Sequence, residues 1–113
     1  MAGAKIFVDK KLAQKKVLLF SKTYSPECKS IKAILDTYKL TPNTLQIVEI
    51  ETRQDCTQIE NYFQILCSTD ARAVPQLFIG GRYVGGEKEI PRLHEAGKLG
   101  RMIYDSIQEN KAL

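Results

Sequence analysis

The chain has no tryptophan, one histidine (His94) and only three cysteines, Cys28, Cys56 and Cys67, in 113 residues. A lone imidazole leaves no evident Ser–His–Asp set to activate a serine. With three thiols at these spacings it gives no zinc pattern either, so no metal is expected. An odd cysteine count rules out a complete set of structural disulfides. The start, Met1 to Asp9, has no apolar run long enough for a signal peptide, and no stretch could span a membrane. The expectation is a cytoplasmic protein with reduced thiols and no membrane partner.

What is present fits one globular domain covering residues 1–113. The hydrophobic fraction of 43% argues against disorder, and the length suffices to bury a core without staples. The net charge is +4, to which Lys10, Lys11, Lys15 and Lys16 contribute strongly. Aromatic residues do not interleave with these lysines, so a solvated helix face is expected rather than a nucleic-acid surface.

Along the chain, residues 6–14 read as a short amphipathic helix with Ile6, Phe7, Leu12 and Ala13 inward. Val17-Leu18-Leu19-Phe20 reads as a buried strand. Ser25 suits an N-cap and Pro26 the first helical turn, where a missing N–H costs nothing. Ile31, Ile34, Leu35 and Tyr38 then repeat at helical spacing until Thr41-Pro42-Asn43. Residues 45–50 form a second strand, parallel to the first through a right-handed crossover. A helix over residues 54–66 carries Ile59, Tyr62, Phe63 and Leu66 on one face, and residues 67–72 form a polar loop. Gly80-Gly81 between two β-rich runs predicts a tight hairpin. Helical sequence follows, broken at Gly97 and Gly100, with Leu93, Ala96, Met102, Ile103 and Ile107 inward. The order is αβαβαββαα.

Four blocks in this order carry a resemblance. Lys22-Thr23-Tyr24-Ser25-Pro26-Glu27-Cys28-Lys29 resembles the Lys-Thr-Tyr-Cys-Pro-Tyr-Cys-Lys site of dithiol glutaredoxins. Ala71-Arg72-Ala73-Val74-Pro75 resembles their Arg-Thr-Val-Pro loop. Ile79 to Gly86 resembles their hairpin and glycine pair, and Arg92 to Leu99 their closing helix. The resemblance covers nearly the whole chain. It implies an α/β, thioredoxin-like fold: a four-stranded mixed sheet flanked by helices, with Pro75 cis. It also implies a glutathione-dependent thiol–disulfide oxidoreductase. In such an enzyme a thiolate at a helix start takes the glutathionyl group from a mixed disulfide.

Ser25 stands where that family has its attacking cysteine. A hydroxyl is hardly ionised near neutral pH, and oxygen cannot form the mixed disulfide, so little or no normal activity is expected. Cys28 holds the resolving position; a small, partly buried helix residue is the equal alternative. The resemblance further implies a glutathione groove. Lys22, and Arg72 similarly, would meet the glycine carboxylate. The backbone of Val74, after Ala73 and before Pro75, would pair with the cysteinyl unit. Gly86, Glu87, Lys88 and Glu89 would flank the γ-glutamyl end, with Glu89 towards its ammonium and Lys88 towards its carboxylate. Glu27 replaces an aromatic residue, and Glu60 stands where many members carry a carboxylate-binding Gln. Acids in such exposed places cost ~0.5 kcal/mol each, so two or three together weaken glutathione binding roughly tenfold.

Glutathione as co-substrate, and glutathionylated or disulfide-containing proteins, are the expected partners of what is expected to be a monomer. An oxidoreductase whose nucleophile is replaced by serine is one reading. The other is a redox-inactive binding module for a thiol peptide or partner protein.

Overall fold

In a computed structural model, which describes residues 2–66 and 74–112, the elements follow the expected order. They are α1 (Ala2–Gln14), β1 (Val17–Ser21), α2 (Pro26–Asp36), β2 (Leu45–Glu49), α3 (Cys56–Leu66), β3 (Gln76–Ile79), β4 (Arg82–Gly85), α4 (Glu89–Glu95) and α5 (Lys98–Ala112). The four strands form one mixed sheet in the order β2-β1-β3-β4. β1 pairs parallel to β2 and antiparallel to β3, with Phe20 opposite both Val48 and Gln76. β3 and β4 close as an antiparallel hairpin through Gly80 and Gly81, at φ 62° and 79°. Both turn residues thus occupy the left-handed region that a two-residue hairpin of this twist demands.

Every residue of β1 is buried, because both sheet faces are covered. The side chains alternate between two cores, as the strand period of two requires. Leu18 and Phe20 join Ala4, Val8, Ile59 and Phe63 beneath α1 and α3. Val17 and Leu19 join Ile31, Leu35, Ile90, Leu99 and Ile103 beneath α2, α4 and α5. In the first core the Phe20 ring lies 5.1 Å from that of Phe63 and 6.0 Å, edge-on, from that of Phe78.

Several local expectations are corrected. α1 begins at Ala2 and buries Ala4 and Val8, whereas Ile6 is 54% exposed and Ala13 faces solvent. The contacts of its flank explain the rotation. Tyr62 donates its hydroxyl to Asp9 at 2.7 Å, and the Arg53 guanidinium lies 3.7 Å over the Phe7 ring. These contacts come from α3 and the turn before it, and helical periodicity within α1 cannot report them. α2 stops at Asp36, capped by Thr37, ahead of the expected breaker; Tyr38 still packs on the second core.

Gly97, at φ 75°, separates α4 from α5, but Gly100 lies inside α5. A Cβ on Gly100 would stand 3.2 Å from the Tyr38 ring, so that glycine serves close packing rather than helix termination. Ala96 is exposed at the end of α4, and Leu99 takes an inward place instead. Cys67 and the rest of the expected loop lie outside the described residues.

Phe63 is fully buried at the centre of the aromatic cluster. Phe63→Ala is therefore expected to lower unfolding free energy by about 3–5 kcal/mol. Urea titration checks this, and a loss below ~1 kcal/mol would contradict the packing described.

Candidate functional site

β1 ends at Ser21, buried at the sheet centre, where its hydroxyl donates to Glu49 on β2. The chain then turns directly into α2. The Ser25 amide donates to the Lys22 carbonyl at 3.2 Å and closes that turn. Ser25 has extended backbone angles (φ −80°, ψ 121°), and its Oγ accepts the Cys28 amide at 3.2 Å. This is an N-cap with proline at the next position, as the Ser-Pro pair predicts. The same hydroxyl donates to Glu27 Oε2 at 3.0 Å. Both hydrogen-bonding roles of Ser25 are local, and its residue is 9% exposed.

Cys28 lies one turn into α2 and is fully buried. Its Sγ accepts the Lys22 amide at 3.4 Å. The thiol therefore stands behind the turn and serves its packing in this state.

Opposite this turn the Val74–Pro75 peptide is cis. Pro75 is buried and Val74 half-buried. Gly86 closes on this bend: a Cβ there would come within 2.9 Å of the Pro75 carbonyl oxygen, a distance only glycine avoids. The Gly86 amide donates to Glu89 Oε1 at 2.8 Å, and its carbonyl accepts the Ile90 amide at 3.1 Å. Val74, Pro75, Gly86, Glu87, Lys88 and Glu89 line a hollow of about 220 Å³ together with Gln76 and Tyr83. Pro26, Glu27 and Glu87 line an adjoining one of about 340 Å³ with Ser30, Ile31 and Pro91. Glu87 lines both hollows, which sets the start of α2 next to the cis-proline bend and the Gly86 turn around one groove region.

Lys22 and Glu60 meet at the flank of the turn. Lys22 Nζ lies 2.9 Å from Glu60 Oε2, with the two side chains 19% and 17% exposed. The hydrogen bond to Glu60 holds the Lys22 ammonium above the usual lysine range, against the opposing effect of burial. Burial pushes the nearby Cys56 thiol up, and the Glu60 charge adds to this. Glu51, which the sequence reading did not single out, accepts both the amide and the hydroxyl of Thr23. These bonds, the hydroxyl's first, hold the Glu51 carboxyl below the usual carboxylate range. Its sequence signal was slight: a lone acid just past a strand end, one strand away from the active turn.

The structure thus brings Lys22, Ser25, Glu27, Cys28 and Glu60 together around the turn before α2, of which Glu27 lines one of the two hollows, and Val74, Pro75, Gly86, Glu87, Lys88 and Glu89 together around the other. Arg72 and Ala73 lie outside the described residues. Lys22 is not a free cation, and Glu89 is committed to the Gly86 amide. Lys88 begins α4 without a side-chain cap contact. Among the described residues, no group of three or more His, Cys, Asp or Glu side chains is placed to hold a metal ion.

A strand, a capped helix start, a cis-proline and a glycine turn around one groove define a thioredoxin-like fold with its site at the carboxyl end of a central strand. The glutaredoxin family model matches residues 17–84, and the chain belongs to that family. Over 96 residues it is 33% identical to glutaredoxin-1 of Sus scrofa, covering 85% of this chain and 89% of that one. Among solved structures it resembles oxidized glutaredoxin 2 of Chlamydomonas reinhardtii, with TM-score 0.79, 30% identity, and 93% and 94% of the two chains covered. It also resembles a buckwheat glutaredoxin–glutathione complex, with TM-score 0.80, 28% identity, and 93% and 91% covered. The family's general activity is thiol–disulfide oxidoreduction.

Loss of the cap through Ser25→Ala is expected to cost about 1 kcal/mol of stability, while Ser25→Thr, whose hydroxyl can still accept the Cys28 amide and donate to Glu27, costs less. Chemical denaturation of the two variants checks this order. Equal stability of the alanine variant and the parent would show that the cap bond contributes nothing.

Proposed function

We propose that this chain is a glutathione-dependent thiol–disulfide oxidoreductase scaffold that lacks normal activity because Ser25 occupies the nucleophile position. The observation that carries this reading is Ser25 at the N-cap of α2, immediately before Pro26 and Glu27, which line the hollow beside it. Sulfur placed there would be favoured as thiolate by the helix N-terminus and the Cys28 amide, against the Glu27 carboxylate beside it. The resemblance to a glutaredoxin bound to glutathione supports a glutathionyl unit as the occupant of the groove. In this reading its glycine end lies towards Lys22, and the Val74 backbone meets its cysteinyl amide. Gly86, Glu87, Lys88 and Glu89 flank its γ-glutamyl end.

In the reaction itself, a thiolate at position 25 attacks the glutathione sulfur of a mixed disulfide. A new S–S bond forms to the enzyme, the old one breaks, and the substrate leaves as a thiolate that takes a proton. The thiolate of a second glutathione then attacks the enzyme-bound sulfur, frees the enzyme and leaves as glutathione disulfide. The net exchange consumes one glutathione thiol, whose sulfur is oxidised to the disulfide level as the substrate sulfur is reduced to the thiol. Ser25 cannot enter the first step, since its oxygen would have to form an S–O bond in place of a disulfide. Cys28 does not replace it, because its sulfur is buried behind the turn.

A second reading, a redox-inactive module that binds a thiol peptide, is favoured by the fit of Ser25 itself. Its hydroxyl makes two bonds, to Cys28 and Glu27, that stabilise the turn without any chemistry.

Ser25→Cys separates the two. With glutathione, its reductase and a glutathione mixed disulfide, the oxidoreductase reading predicts a turnover rate at least ~100-fold above that of the Ser25 chain. A correctly folded Ser25→Cys variant with no turnover would leave only the binding module.

A further inference from the structure

The donors around the groove are held by the chain's own carboxylates. Thr23 gives its amide to Glu51, Ser25 its hydroxyl to Glu27, and Gly86 its amide to Glu89. The fourth case is a full ion pair, Lys22 with Glu60, and both partners are less than one-fifth exposed. Lys22 adjoins the thiol position as well, since its amide contacts Cys28 Sγ. In glutathione the glycine carboxylate is one residue from the sulfur. With the γ-glutamyl end at Gly86 to Glu89, as that reading of the groove has it, a ligand that presents its sulfur to the start of α2 brings that carboxylate to the Lys22 side.

At Lys22 two carboxylates then compete for its ammonium in a half-buried place, where screening by water is weak. Glu60 is covalently attached, pre-positioned at 2.9 Å, and loses no translational freedom on pairing. The incoming carboxylate must displace it, leaving Glu60 without its partner, or approach it against like-charge repulsion. A neutral amide meets neither penalty and can accept or donate a hydrogen bond beside the intact pair.

Resting on the reading of the groove as a glutathionyl site, we propose that Glu60 is a specificity-determining residue: it fills the carboxylate seat at Lys22 and turns the groove towards thiol peptides whose glycine carboxylate is masked as an amide. A glycine whose carbonyl continues into a further amide-linked group is the general form of such a ligand.

The test is isothermal titration at low ionic strength with S-methylglutathione and its glycine amide, whose blocked sulfur excludes disulfide exchange. The unmodified chain binds the amide at least as tightly as the free acid. Glu60→Gln keeps the size of the side chain and a hydrogen bond to Lys22 but removes the charge. The free acid then gains at least ~5-fold in affinity and becomes the tighter ligand, while the amide changes less than ~2-fold. Glu87→Gln removes an equal charge from the groove away from this pair and moves the acid-to-amide ratio less than ~2-fold.

A free acid bound ~3-fold more tightly by the unmodified chain, with a ratio that Glu60→Gln leaves unchanged, overturns the assignment. A Glu87→Gln effect as large as that of Glu60→Gln overturns it too, because the selectivity would then come from the general field. Absence of binding by either peptide to the unmodified chain and to Glu60→Gln overturns the underlying glutathionyl reading, and this inference falls with it. A coincident unfolding midpoint confirms that Glu60→Gln is folded.

Discussion

The double pairing of β1 holds the site together. Because β2 runs parallel on one side and β3 antiparallel on the other, the carboxyl end of β1 meets the start of β3. That register sets the turn from Ser21 to Cys28 against the bend at Pro75. The pairing is stable because β1 is apolar on both faces and each face has its own core. A polar side chain at Leu18 or Leu19 would disturb a core and the groove at once, since the backbone that carries the turn is the same backbone that carries those side chains. Ligand sites at the carboxyl ends of strands in α/β sheets follow from this geometry.

The groove itself depends on backbone rather than on side-chain chemistry. The cis peptide before Pro75, the glycine at 86 and the capped start of α2 shape it. Such a frame tolerates replacement of the reacting atom. Serine in place of cysteine keeps the cap, the turn and the hollow, and removes only the sulfur. The acidic side chains of Glu27, Glu51, Glu60 and Glu89 are equally compatible with the frame, since each finds a donor at hand. The charge balance of the groove therefore runs opposite to that of the chain, whose net +4 is carried in part by the lysines of α1.

The fold was legible in the sequence wherever one signal outweighed its rivals. The even apolar run of β1, the Ser-Pro pair opening α2 and the glycine pair of the hairpin each admit one local conformation at low cost. Local pattern failed where tertiary contacts chose among near-equal faces. In α1, both Ile6 and Val8 are apolar, and only the Asp9–Tyr62 and Phe7–Arg53 contacts select the face that is buried. Gly100 carries the same composition signal as Gly97, yet one is a packing contact and the other a break. At the site, the residue positions could be read from the four motif blocks, but the pairings could not. Lys22 and Glu60 are 38 positions apart, and Glu51 meets Thr23 across two strands. Sequence separation conceals which cation is already spoken for.

The central claim, that a thiol-peptide groove surrounds Ser25, is tested most directly by titrating glutathione into the 15N-labelled chain and following backbone amides by NMR. The account predicts saturable shifts that cluster at Lys22, Cys28, Val74 and Gly86. Shifts confined to the lysines of α1, or none at these four amides at saturating ligand, would contradict it.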